Sequence, residues 1–381
     1  MRLPSGFVQP RPPRNRSQAY AGIQPLSAFQ QHQRFEPLPL PLGLPPYHFD
    51  LATVLPGIEA SAGQLGHLTF HVVGDTGGVK DPKYQHDVAA LMKQDLSKPS
   101  SERPSFFYHL GDVVYFNGEH KEYYSQFYEP YDHYDVPIFS IPGNHDGAPL
   151  PGDTSLSGWV SYFMTPAPHI DPISQDAPRV TLALPNCYYT LTCPFVTLIG
   201  LYTNVPEGGS VDSVQQQWLT NEFASAPESK ALLVCLHHPI YSFDDHHSGS
   251  PRMADVVQHA INDSRRVPNL VLAAHVHNYQ RIEKNIGGKV PTPFLVAGHG
   301  GYYHLHHLNA EDGAVDPNTG ARLIKGSDRR HGCVTLQVDA QAIRGTVMLA
   351  GESGQPAEPA FDDFTYPASP LHLPKTITAA L

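Results

Sequence analysis

A chain of 381 residues with 40% hydrophobic and 16% charged residues is globular in composition, and long enough for one large α/β domain or two smaller ones. Twenty-five Lys and Arg against 36 Asp and Glu leave a formal charge of −11. That balance excludes the basic face of a nucleic-acid binder and disfavours docking on an anionic membrane.

Ten prolines crowd the first fifty residues, so 1–50 is expected to be a tail or an extended arm on the body. It opens Met1-Arg2-Leu3-Pro4 with no apolar run behind the charge, so the default expectation is a cytoplasmic protein, or a secreted or periplasmic one if a signal was removed. The stretch 51–350 then alternates in type. Thr69 to Val73 reads as a strand, and Gln85 to Leu96 as a helix with Val88, Leu91, Met92 and Asp95 at helical spacing. Phe106–Leu110 and Pro137–Ile141 are strands flanking a helical stretch near Glu119–Tyr128. Cys187–Thr192 and Phe195–Leu201 form an antiparallel pair turned at Cys193-Pro194. A helix over Asp212–Ala224, a strand over Ala231–Leu236, a proline-initiated helix from Pro251 to Asn262 and a strand at Leu270–Ala274 follow. Val334–Val338 and Ile343–Leu349 close as a hairpin, and 351–381 reads as a C-terminal tail rich in Pro, Ala and Asp. No stretch of about eighteen apolar residues marks a membrane span. The four cysteines, Cys187, Cys193, Cys235 and Cys333, lack metal-ligand spacing.

This is an α/β pattern, and five of its strands end abruptly in polar clusters. In order they are Gly74-Asp75-Thr76-Gly77, Gly111-Asp112-Val113-Val114-Tyr115, Gly143-Asn144-His145-Asp146, Val234-Cys235-Leu236-His237 and Ala274-His275-Val276-His277. Any one alone reads as an ordinary turn or solvated loop; five in succession do not. Two cations roughly 3.5–4 Å apart need a bridging carboxylate and anionic donors to offset their repulsion. Asp75, Asp112 and a Tyr115 phenolate supply charge, Asn144 adds a neutral oxygen, and His237, His275 and His277 add nitrogens. Oxygen mixed with imidazole, without thiolate, suits iron, manganese or zinc.

The five clusters resemble the sequence blocks of the calcineurin-like metallophosphoesterases, over about Thr69 to His277. Gly77 stands where most of that family has a histidine ligand, and Tyr115 is placed to replace it, a substitution similar to the purple acid phosphatase branch. The resemblance implies a sandwich of two mixed β-sheets flanked by helices. It implies a first site of Asp75, Asp112, Tyr115 and His277 holding Fe(III), and a second of Asp112, Asn144, His237 and His275 holding divalent Fe, Zn or Mn. Ala274 departs from the usual glycine of the last block.

By the same resemblance His145, with Asn144, faces the substrate and serves as a catalytic proton donor, its ring oriented by Asp146. His246 or His247 fills an outer catalytic position, and His299 borders the cleft as a substrate contact. His304, His306 and His307 are expected to be solvated. The implied activity is acid-phosphatase-like hydrolysis of small phosphate monoesters by direct attack of metal-bound hydroxide, with neither nucleic acid nor membrane as partner. The alternatives are a phosphodiesterase of the same superfamily and a non-catalytic member that binds a phospholigand.

Overall fold

The computed structural model describes residues 37–148, 152–203, 209–352 and 354–374. Most of the Pro-rich segment, 1–36, therefore lies outside the described residues. In chain order the strands and helices are β1 (His48–Asp50), α1 (Ile58–Leu65), β2 (His67–Val73), α2 (Lys83–Asp95), β3 (Phe107–His109), β4 (Ile138–Ser140) and α3 (Ser157–Phe163). Next come β5 (Tyr189–Thr192), β6 (Val196–Gly200), α4 (Ser213–Ser225), β7 (Ala231–Cys235), α5 (Pro251–Ser264), β8 (Arg266–Val267) and β9 (Leu270–Ala273). The chain continues through β10 (Tyr279–Lys284), β11 (Thr292–Ala297), β12 (Arg322–Ser327), β13 (Gly332–Asp339), β14 (Ala342–Leu349), β15 (Glu358–Pro367) and β16 (Leu371–His372).

Two mixed sheets carry the fold. One has six strands in the order β15-β14-β13-β2-β3-β4, the other eight in the order β1-β5-β6-β7-β9-β11-β10-β12. Within the first, β2, β3 and β4 run parallel, and within the second β6, β7, β9 and β11 do. Parallel strands covered on both faces are apolar along their whole length, which is why Leu270–Ala273 and Ala231–Cys235 are buried at every position. The sheets face each other: Tyr189 Oη of β5 donates to the Ser140 carbonyl of β4 at 3.1 Å, and the Phe49 and Phe139 rings meet edge to face. The predicted face of α2 is the buried one, Val88, Leu91, Met92 and Asp95 included. Two helices start on side-chain caps: Asp212 accepts from Gln215 N, and Ser250 from Met253 N ahead of Pro251.

Two expectations need correction. The arm does more than lie on the body, because β1 enters the eight-stranded sheet beside β5 before residue 51, and Trp218 Nε1 donates to the Pro46 carbonyl at 2.6 Å. Within the stretch expected to be a C-terminal tail, Glu358–Pro367 is a strand: β15 pairs along β14 at the edge of the six-stranded sheet. Its prolines suit an edge, where one row of N–H groups has no ladder to join. Its buried Asp362 looks out of place in a core but accepts from Arg281 Nε at 2.8 Å and Nη2 at 2.9 Å, and from Tyr279 Oη at 2.8 Å, all on β10 of the other sheet. The stretch near Glu119–Tyr128 forms short 3₁₀ and π turns and no α-helix. All four cysteines are buried and unpaired. No helix among the described residues is long and apolar enough to cross a membrane.

Candidate metal centre

Five parallel strands deliver the clusters to one seam between the sheets. Asp75, Asp112 and Asn144 follow β2, β3 and β4 of the six-stranded sheet, while His237, His275 and His277 follow β7 and β9 of the eight-stranded sheet. All six are buried, as is Tyr115. The backbone is bent hard to aim them: Asp75 (φ 55°), Asp112 (φ 56°) and His275 (φ 66°) all adopt left-handed conformations that non-glycine residues avoid, an arrangement typical of functional sites. Gly143 is required by close approach, since a Cβ there would sit 2.1 Å from Asp112 Oδ1. Ala274 fits because Gly74 opposite it has no side chain; a Cβ at position 74 would lie 2.6 Å from the Ala274 methyl.

Two groups of donors result. In one, Tyr115 Oη lies 3.0 Å from Asp75 Oδ1 and 3.2 Å from His277 Nε2, and His277 Nε2 is 3.6 Å from Asp75 Oδ1. In the other, His237 Nε2 and His275 Nδ1 approach Asn144 Oδ1 at 3.0 and 2.9 Å, and His237 Nε2 lies 3.4 Å from Asp112 Oδ2. Asp112 stands between the groups, because donor atoms of Asp75, Asp112 and His237 all fall within 4.8 Å of one another. Asp112 Oδ1 accepts from the His145 N–H at 2.8 Å, while Oδ2 has no hydrogen-bond partner among the described residues. Outer contacts fix the imidazoles: His237 Nδ1 donates to the Leu110 carbonyl at 2.8 Å and His277 Nδ1 to that of His304 at 3.2 Å, directing each Nε2 inward.

The charges are arranged as cation ligands would be. Burial pushes Asp75 well above the usual carboxylate range, although His237 opposes this, and the charge on Asp112 adds to it. Burial likewise raises the Tyr115 phenol, reinforced by Asp112 and Asp75. Burial works against a charge on Asp112 too, but His237 and His145 outweigh it and hold this carboxyl low. Burial lowers His237, yet Asp112 dominates and lifts it to about 9. Two carboxyls and a phenol crowded in a buried pocket, with one carboxylate oxygen unsatisfied among the described residues, fit a pair of cations in donor type and charge.

Residues 68–279, more than half of the chain, match the family described as calcineurin-like phosphoesterase. The chain belongs to the calcineurin-like phosphoesterases. This is a metal-dependent family of hydrolases acting on phosphate esters. Among solved structures the fold is similar to GAP50, the anchor in the inner membrane complex of Plasmodium (TM-score 0.55, 16% identity, 80% of this chain and 89% of that one). It is also similar to purple acid phosphatase PPD1 from yellow lupin (Lupinus luteus) seeds, with TM-score 0.56 and 18% identity. That match covers 78% of this chain and 53% of the lupin enzyme, so this chain spans about half its length. A third likeness is to PhoD, with TM-score 0.51, 14% identity and coverage of 80% and 70%. At these identities the likeness is one of fold. No curated protein matches the sequence.

Around this calcineurin-like centre the structure corrects several roles. His145 is half-buried beside Tyr115, ring centroids 4.4 Å apart, and its Nδ1 donates to the Phe116 carbonyl at 2.8 Å. That carbonyl orients the ring; Asp146 does not. The Asp146 carboxylate instead accepts the backbone N–H groups of Gly143, Val113 and Val114 at 2.8–3.2 Å, tying the second and third clusters together. Burial and the nearby Asp112 charge raise it to about 7 against the pull of those N–H groups. Of the pair at 246 and 247, His247 reaches the centre, its ring 4.5 Å from that of His275. His246 turns to His306, 4.7 Å away. His299 does not border a cleft: it is fully buried against Tyr279, and neither ring nitrogen has a partner among the described residues. His304 and His307 are exposed as expected, but His306 is buried.

Three further neighbours line the centre that the sequence does not assign to it. Tyr302 packs its ring 4.4 Å from Tyr115 and 4.3 Å from His277. His238 is buried with its ring 4.3 Å from His275 and Nδ1 2.7 Å from Thr203 Oγ1. His306 stacks 4.5 Å from His277. His238 is adjacent to a candidate ligand and His306 lies in a histidine-rich run, but Tyr302 carries no such signal.

Proposed function

We propose that the chain is a binuclear phosphomonoesterase of purple acid phosphatase type. Its first site would be Asp75, Asp112, Tyr115 and His277 with Fe(III), and its second Asp112, Asn144, His237 and His275 with divalent Fe, Zn or Mn. The observation that carries the reading is Tyr115 Oη, poised between Asp75 Oδ1 at 3.0 Å and His277 Nε2 at 3.2 Å, where an anionic hard donor favours a trivalent ion.

When bound, two such cations supply an activated water and neutralise charge on the phosphoryl oxygens. The protein's own part is to hold the geometry and move a proton. His145, with Nδ1 committed to the Phe116 carbonyl, would donate from Nε2 to the leaving alkoxide. Its main-chain N–H keeps the Asp112 carboxylate in register while its ring serves the substrate. Asn144 would contribute its amide oxygen without adding charge, so the second site, with Asp112 alone, would be two anions poorer than the first, with Asp75, Asp112 and the Tyr115 phenolate.

Metal content by elemental analysis and the rates on mono- and bis-(p-nitrophenyl) phosphate test this reading together. At least two ions per chain with iron among them, and faster mono-ester turnover, are expected. Faster bis-ester turnover would make it a phosphodiesterase, and a chain that retains no metal would end the binuclear reading.

A further inference from the structure

Outside the seven candidate ligands, His246, His247 and His306 bring one ring nitrogen each within 4.8 Å of the others. The three rings face each other at centroid distances of 4.6 to 5.1 Å. Their loops are built, not loose. Asp244, whose side chain is fully buried, accepts the backbone N–H of His246 at 3.0 Å and of His247 at 2.7 Å through Oδ2, and Asn278 Nδ2 through Oδ1 at 2.9 Å. Asp245 N and Asn309 N cross-link the two loops through the His307 and Phe243 carbonyls. His306 is itself buried, and its main-chain N–H donates to the His277 carbonyl at 2.9 Å. Its Nδ1 lies 3.4 Å from Asp244 Oδ2 and has no hydrogen-bond partner among the described residues.

We infer that His246, His247 and His306 form a third cation site at the rim of the binuclear centre. An all-imidazole set selects Zn²⁺, Cu²⁺ or Ni²⁺ over Mg²⁺ or Ca²⁺. Three protein donors match the ligand count of a reactive zinc site, not the four of a closed structural one. Asp244 plays the supporting carboxylate, holding two of the imidazoles through their main chain and lying beside the third. The site adjoins the candidate centre without sharing a donor: His247 contacts His275 and His306 contacts His277 through ring faces at 4.5 Å. It stands on its own residues and does not depend on the binuclear reading.

The test is Zn²⁺ stoichiometry after chelator stripping and equilibrium dialysis at pH 7.5. It compares the full chain, the His246→Ala/His247→Ala variant and Asp112→Asn, with circular dichroism to check that each is folded. The double variant is expected to hold one ion fewer than wild type, and Asp112→Asn to keep an ion that is lost when His246→Ala and His247→Ala are added to it. Cu²⁺ bound to Asp112→Asn should show electron paramagnetic resonance couplings to three nitrogens. If the binuclear reading alone were wrong, wild type would hold a single ion, lost in the double variant and kept in Asp112→Asn. An equal Zn²⁺ count in wild type and the double variant overturns the inference.

Discussion

The ring of Tyr115 fills the space that any side chain at position 77 would enter: a Cβ on Gly77 would lie 2.5 Å from Tyr115 Cδ2 and 2.6 Å from Gln126 Oε1. The two positions are therefore exclusive, and a chain with Tyr115 in this pose cannot carry a histidine at 77. Gly77→Ala should cost about 1–3 kcal/mol by overpacking. Combined with Tyr115→Ala, the losses should fall short of their sum by about 0.5–3 kcal/mol. Urea unfolding of the metal-free single and double variants measures this; simple additivity would mean that the contact relaxes at no cost.

Tyr115 also makes a spectroscopic prediction. Iron-loaded wild type should be purple or pink from phenolate-to-iron charge transfer, and Tyr115→Phe should bleach it. The fold should survive, since losing the hydroxyl that faces Asp75 costs about 1–3 kcal/mol. A variant that kept its colour would remove Tyr115 from the first site.

Asp112→Asn should abolish activity and metal retention at the two candidate sites together. Its unpartnered Oδ2 is the one carboxylate oxygen lying 3.4 Å from His237 within a cluster that also contains Asp75. Elemental analysis beside a phosphatase assay decides the matter, and an Asn variant with both ions in place would show that Asp112 does not bridge.

Replacing His145 by Ala should leave metal content intact and lower kcat by roughly 10²–10⁴-fold, the usual loss of a proton donor. The penalty should shrink on substrates with good leaving groups, which need no protonation. Loss of metal in this variant would point instead to a ligand role, and a uniform drop across leaving groups to mere packing.

His299 is predicted to be an acid weak point. Burial, with a minor contribution from His331, lowers its pKa from 6.5 to about 3. The unfolded chain therefore takes up this proton first, so stability is complete above pH 6.5 and declines as the pH falls toward 3. By pH 4.5 the loss amounts to about 3 kcal/mol. His299→Leu removes two unsatisfied nitrogens as well as this proton, so its urea midpoint should fall less between pH 7 and 4.5 than that of wild type. Parallel declines would assign the acid sensitivity elsewhere.

The strands that carry the donors were legible because each is a short apolar run broken by Asp, Asn or His, a pattern visible one segment at a time. What stayed hidden depends on folding. His306 reads as one of several loop histidines until the 244–248 loop closes over it, and Tyr302 reaches Tyr115 only across 187 positions of chain (302 − 115). Strand β10, Tyr279-Gln280-Arg281-Ile282-Glu283-Lys284, was missed because its polar residues outnumber its apolar ones; Arg281 and Tyr279 use that polarity to bond Asp362. Strand β15 reads as a tail in the sequence for the complementary reason. Its acidic residue at an inward position makes sense only once Arg281 is opposite.

Every oxygen donor of the centre is synthesised by residue 144, and every imidazole donor from residue 237 onward. A chain growing from the ribosome thus displays its whole anionic half while the rings that confine it do not yet exist. Nor can β2, which carries Asp75, acquire both of its neighbours until β13 emerges, since β13 lies between β14 and β2. Premature capture of a cation by Asp75 and Asp112 would be weak and solvent-exposed, easily surrendered. The donor set is complete only once His275 and His277 have emerged, so tight metal retention would report that the two halves of the seam have come together.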